Sequence, residues 1–144
     1  MKGGRSMFKK ILAPVDSSQT ALNAAKYAVT LARSAGASVT LMYVMEIPYE
    51  IISYGGGDLI LDQMAAEGSK LLDRVKNACD TGDVVLETKF VHGFAANEIL
   101  LEQKNGYDLI VIGNRGMGEI KGFLLGSVSR KVICHADCPV LVIK

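Results

Sequence analysis

Asp108-Leu-Ile-Val-Ile-Gly113-Asn-Arg-Gly116-Met-Gly-Glu-Ile-Lys-Gly-Phe-Leu-Leu-Gly126-Ser127 passes from an apolar run, through a glycine-rich stretch, into a helical pattern. Leu109 to Ile112 are apolar without a break, so both faces of this strand want cover, as in a parallel sheet flanked by helices. Beyond the glycines, Val128, Val132 and Ile133 are the expected inner residues of a helix following Ser127. One strand, one loop and one helix make the unit from which such folds are built.

Outward from that unit the same alternation continues. Strands are expected over Phe8 to Val15, Ser38 to Met45, Val84 to Val91 and Pro139 to Ile143, besides Asp108 to Ile112. Val84 to Val91 is interrupted by Glu87 and Lys89 and suits an edge. Ser17 and Ser18 can cap a helix running to Ser34, with Leu22, Ala25, Val29 and Ala32 inward and Gly36 as its stop. A second helix runs from about Asp58 to Cys79 and a third from about Ala95 to Gln103, each with apolar residues at three- and four-residue intervals. Pro48 to Gly57, with three consecutive glycines, reads as a long irregular loop and a candidate lid. This is an α/β fold with helices on both sheet faces and right-handed crossovers.

Composition sets the outer limits. A chain of 144 residues, 49% hydrophobic and 22% charged, fits one domain with a substantial core. Residues 1–6 read as a disordered leader and 7–144 as the domain. A net charge of +1 gives no reason to expect nucleic acid, and no apolar run approaches the roughly 20 residues of a membrane span. Three cysteines are too few and too odd for a secreted disulfide scaffold, so a cytoplasmic location is expected.

In open parallel sheets, ligands sit beyond the carboxyl ends of the strands where strand order reverses. Asp16, the Val44–Glu46 exit and Gly113 all fall at that edge. Glycines let backbone approach a phosphate closely and take positive φ, turning amides inward. Gly126-Ser127 stands at a helix N-terminus, where unpaired amides and the helix dipole favour an anion. Ser127 and Ser129 can add donors, and Arg115, Lys121, Arg130 or Lys131 can supply countercharge. The P-loop pattern G-x-x-x-x-G-K-[ST] is absent, and Gly113 to Gly118 runs G-x-x-G-x-G rather than the dinucleotide order. Asp16 also suits the N-terminus of the first helix on structural grounds alone.

Gly113, Gly116, Gly126 and Ser127 meet the pattern G-x2-G-x9-G-[ST], which resembles the ATP-binding signature of the universal stress protein family. The likeness extends from Phe8 onward, through Lys10-Ile-Leu-Ala-Pro-Val-Asp16-Ser-Ser, Leu125-Gly-Ser-Val-Ser129 and Cys138-Pro-Val-Leu-Val-Ile143. It implies an open five-stranded parallel sheet in the order 3-2-1-4-5, adenine nucleotide alpha hydrolase-like, with ATP between the first and fourth strands and Mg or Mn on the phosphates. By position, Asp16 resembles the acid that bonds the nucleoside, with Pro14 and Val15 as floor beside it. Val44 corresponds to the residue whose backbone reads adenine. Ile112, Gly113, Gly116, Gly126, Ser127, Val128 and Ser129 correspond to the wall and phosphate cradle; Arg115 is added for its charge alone. The family likeness further implies a homodimer through the final strand, residues 138–144.

No nucleophile paired with a base is visible, so a binding protein is expected, with slow hydrolysis at most. A nucleotide-free interaction module of the same fold and a weak ATPase are the competing readings. Cys134-His-Ala-Asp-Cys138 has zinc-type ligands but not the four that a structural site needs. His92 is expected at a surface turn and His135 in solvent near a helix end.

Overall fold

The structure, a computed structural model, describes residues 6–54, 57–116 and 125–144. Among the described residues there are five strands: β1 (Lys10–Pro14), β2 (Ser38–Met45), β3 (Leu86–His92), β4 (Leu109–Gly113) and β5 (Val140–Ile143). They form one parallel sheet in the order β3-β2-β1-β4-β5. The helices are α1 (Gln19–Ala35), α2 (Tyr49–Tyr54), α3 (Asp58–Ala78), α4 (Ala95–Glu102) and α5 (Ser127–His135). Alternate strand residues feed two cores. Ile11, Ala13, Val39, Leu41 and Val111 face α1 and α3, while Leu12, Met42, Ile110 and Ile112 face Ile99 of α4 and Val132 of α5. Helices therefore cover both faces, as the unbroken apolar strands require.

Small residues decide how closely the helices approach. The inner face of α1 carries Ala21, Ala24, Ala25, Ala28, Val29 and Ala32; Leu22 sits half-buried at its margin. Ser18 is the N-cap and accepts from the Ala21 amide, while Gly36 ends the helix at φ 68°. On α3, a Cβ at Gly68 would stand 2.7 Å from Tyr43 Cε2 and collide with the Phe90 ring. Gly68 thus lets α3 lie against the Tyr43–Phe90 ring pair.

Several expected boundaries move. β1 starts at Lys10, because the Lys9 and Lys10 amides bond the Asp108 carboxylate (2.8 and 3.2 Å) and not a neighbouring strand. Asp108 accordingly stands outside β4. β3 is shifted to end at His92, which pairs with Met45 and so belongs to a strand end, not to the turn expected for it. Val84 and Val85 precede β3, which is an edge strand as the mixed pattern indicates. Pro48 to Gly57 is not an irregular loop: Tyr49–Tyr54 is helical, and the Pro48 carbonyl accepts from the Ile51 and Ile52 amides. Gly55 and Gly56 lie outside the described residues. Ile133 is 40% exposed on α5, so Val132 carries the packing there. Ser6, assigned to the leader, lies 2.6 Å from both the Phe8 and Ala35 carbonyls.

Candidate functional site

The sheet opens between β1 and β4, where strand order reverses. Their pairing covers Ile11↔Leu109 and Leu12↔Ile110 and goes no further. The Val15 amide donates to Met42 on β2, so by strand alternation position 14 addresses β4. Pro14 stands there without an N–H, and the ladder has no donor with which to continue. The strands part, leaving a cleft of about 420 Å³ at their carboxyl ends.

Pro14 and Val15 form one side of this cleft, with Val44 at the end of β2; Ile112 and Gly113 form the other. Asp16, Arg115 and Gly116 close over it, and Gly126, Ser127, Val128 and Ser129 supply the start of α5. The structure therefore brings the two strand ends, Asp16, Arg115 and the glycine–serine residues to one cleft, whereas Arg130 and Lys131, offered from sequence as countercharge, do not line it. Gly118 and Lys121 lie outside the described residues.

Local bonds hold each part. Asp16 Oδ1 accepts from the Ser18 amide (2.8 Å) and hydroxyl (2.5 Å), and Ser18 in turn caps α1. Capping thus belongs to Ser18, while Asp16, half-buried, orients the cap from the cleft side. A Cβ on Gly116 would fall 2.7 Å from Asp16 Oδ2, so the loop crosses directly over the acid. Thr20 Oγ1 donates to the Arg115 carbonyl (2.6 Å), fastening the loop to α1. The Gly126 amide donates to the Asn114 carbonyl (2.7 Å), which joins the two ends of the glycine stretch.

Two expectations about the loop change. Positive φ among the described residues occurs at Gly36, Gly82, Gly93 and Gly106, not at Gly113, Gly116 or Gly126. At Gly113 and Gly116 the reason for glycine is close contact. Ser129 is 3% exposed and its hydroxyl donates to the Gly113 carbonyl (2.7 Å), so it ties α5 to β4. The N-terminus of α5 carries no side-chain cap bond. The dipole of α5 presents its positive end on the cleft side, which favours an anion.

Sequence reasoning placed Glu46 at this edge without a role and did not single out Tyr43, Ala95 or Ile99 for the site; all four line the cleft. Glu46 Oε1 accepts from the Ala95 amide (2.8 Å) and so fixes the start of α4 at the mouth. Burial raises the Tyr43 phenol pKa, and the carboxylates of Asp16, Glu67 and Glu46 raise it further, so the hydroxyl keeps its proton at neutral pH. Tyr43 directly precedes Val44 at the end of β2, which is the signal that could have found it; Ala95 offers none. The cleft thus carries the carboxylates of Asp16 and Glu46 together with Arg115 and the start of α5. His92 and His135 are exposed and outside the cleft. Among the described residues no three His, Cys, Asp or Glu side chains converge as metal ligands, and no helix is long and apolar enough to cross a membrane.

Residues 7–144 match the family model described as the universal stress protein family. A universal stress protein of Methanocaldococcus jannaschii is 37% identical over all of this chain and 86% of its own length. A second one from that organism, whose structure is solved, is 30% identical with a TM-score of 0.84, covering 96% of each chain. The universal stress protein of Archaeoglobus fulgidus, solved in complex with dAMP, is 25% identical with a TM-score of 0.70, covering 96% of this chain and 99% of that one.

Proposed function

Since this chain belongs to the universal stress protein family, we propose that it binds an adenine nucleotide, ATP with Mg or Mn on its phosphates, in the cleft between β1 and β4. The observation that carries this is a cleft at the sheet's switch point lined by the start of α5, Arg115 and Asp16 together. The residues fit the group by charge. Asp16 accepts from the nucleoside hydroxyls and the Val44 backbone reads the adenine edge, over Pro14, Val15 and Ile112. Gly113, Arg115, Gly116, Gly126, Ser127 and Val128 hold the phosphates, with Ser129 fixing the frame beneath them. The dAMP complex of the Archaeoglobus protein supports the ligand class.

The reading is binding and regulation, not turnover. Asp16 hydrogen-bonds Ser18 and the Ser129 hydroxyl donates to the Gly113 carbonyl, so neither bond forms a nucleophile–base pair. Equilibrium dialysis against labelled ATP tests the reading: retention by wild type, weakened about tenfold or more in Asp16→Ala, is expected. Absence of retention favours a nucleotide-free module. Stoichiometric turnover abolished by Asp16→Ala favours an ATPase.

A further inference from the structure

Among the described residues, large apolar side chains left open to solvent are scattered over the surface, except in one place. Tyr49 (77%), Ile52 (66%), Tyr54 (86%), Leu59 (83%) and Ile60 (48%) are all exposed. They belong to α2, which buries no residue, and to the first turn of α3. Ile51 faces the other way: a Cβ on Gly57 would stand 2.5 Å from its Cγ2. Buried Gly57 therefore lets Ile51 close on the residue that starts α3, which brings the end of α2 beside the first turn of α3. Tyr49 and Ile52 are three residues apart and share a helix face. Concentrated apolar exposure of this kind marks an interaction site.

Charge restricts what covers it. Residues 46–67 contain Glu46, Glu50, Asp58, Asp62 and Glu67 and no Lys, Arg or His. All five acids are exposed. Helix dipoles account for Glu50 and Asp58 in first turns, but not for the missing cations around them. An apolar face with an acidic rim repels anionic lipid headgroups, and two copies face to face would bring like charges together. A cationic amphipathic helix satisfies both features, its apolar stripe on the tyrosines and leucine and its lysines on the rim.

We propose that α2 and the first turn of α3 form a docking face for a basic amphipathic helix of another protein. The test uses a synthetic helical peptide of Leu and Lys carrying one Trp, with a Leu–Glu peptide as its counterpart. The chain has no Trp, so the fluorescence change belongs to the peptide alone. The Leu–Lys peptide is expected to bind saturably, more weakly in high salt, and the Leu–Glu peptide not to bind. Ile52→Ser/Leu59→Ser and, separately, Glu50→Lys/Asp62→Lys should each weaken binding roughly tenfold. Both pairs sit on the surface, and circular dichroism checks that they fold. Equal binding of the two peptides, or unchanged affinity in either variant, overturns the proposal. Sedimentation showing self-association that Ile52→Ser/Leu59→Ser dissolves would put a second copy on this face instead. Binding to phosphatidylserine vesicles that the same variant abolishes would put a membrane there, and either result rejects the helix.

Discussion

A Cβ at Gly113 would lie 2.7 Å from Thr20 Oγ1, 2.9 Å from the Thr20 carbonyl carbon and 3.1 Å from the Ala21 nitrogen. Two of those atoms are backbone at the start of α1 and cannot swing aside. Gly113→Ala is therefore expected to destabilise the fold by about 1–3 kcal/mol, read from the urea midpoint at unchanged slope. At Gly116 the atoms of the described residues that a Cβ would meet belong to the Asp16 side chain, which can move, so the same change there should act on the site before it acts on stability. The spacing of these glycines was legible in the sequence. Their reason was not, because what excludes a Cβ is a helix and an acid about 100 residues away in the chain, beyond the reach of any local pattern. Asp16 shows the same limit. Its neighbours named it as a possible cap, yet only the fold separates the cap, Ser18, from the acid that orients it.

Elements were legible in proportion to their length and periodicity. α1 and α3 announced themselves by repeated apolar spacing, and the boundary signals Ser18 and Gly36 are both used. α2 has six residues, too few to show a helical period beside three glycines. β1 lost Phe8 and Lys9 to a side-chain interaction with Asp108 that no strand propensity encodes. Another long-range tie gives a prediction. Glu102, at the end of α4, accepts from Lys89 of β3 (2.5 Å), from Asn105 (3.2 Å) and from Tyr107 before β4 (3.0 Å). Burial alone would raise its pKa, but the bonds from Lys89 and Tyr107 prevail and leave it lowered. A lowered folded-state value means that its contribution is complete above the unfolded value of about 4.3. That contribution is lost as pH falls through the folded value. Glu102→Gln should cost about 1–3 kcal/mol at pH 7, and chemical denaturation at stepwise lower pH should show the difference from wild type shrinking. A constant difference down to pH 2 would reject the assignment.

For the molecule as a whole, strand order and the two-faced sheet followed from the alternation together with the family likeness, since apolar runs alone fix neither neighbour nor order. The order has a second consequence. It leaves β5 as an edge, with Leu141 37% exposed and Val140 and Val142 half-buried. An apolar edge strand needs cover, and an antiparallel pairing of two β5 strands across a two-fold axis provides it. Sedimentation equilibrium at micromolar concentration should give a dimer, and Val142→Pro, which removes a ladder donor, should shift it toward monomer. A wild-type protein that stays monomeric would contradict this. The same order also creates the cleft, because Pro14 ends the β1–β4 ladder at the point where the topology reverses. Calorimetric titration of wild type and Gly126→Val with Mg-ATP tests that cleft most directly. Gly126 sits at φ −75° and ψ 171°, a conformation open to any residue, and lines the cleft; circular dichroism and the urea midpoint check that the variant folds. Saturable binding by wild type, weakened tenfold or more in the variant, is the predicted result; equal affinity in the two proteins would contradict it.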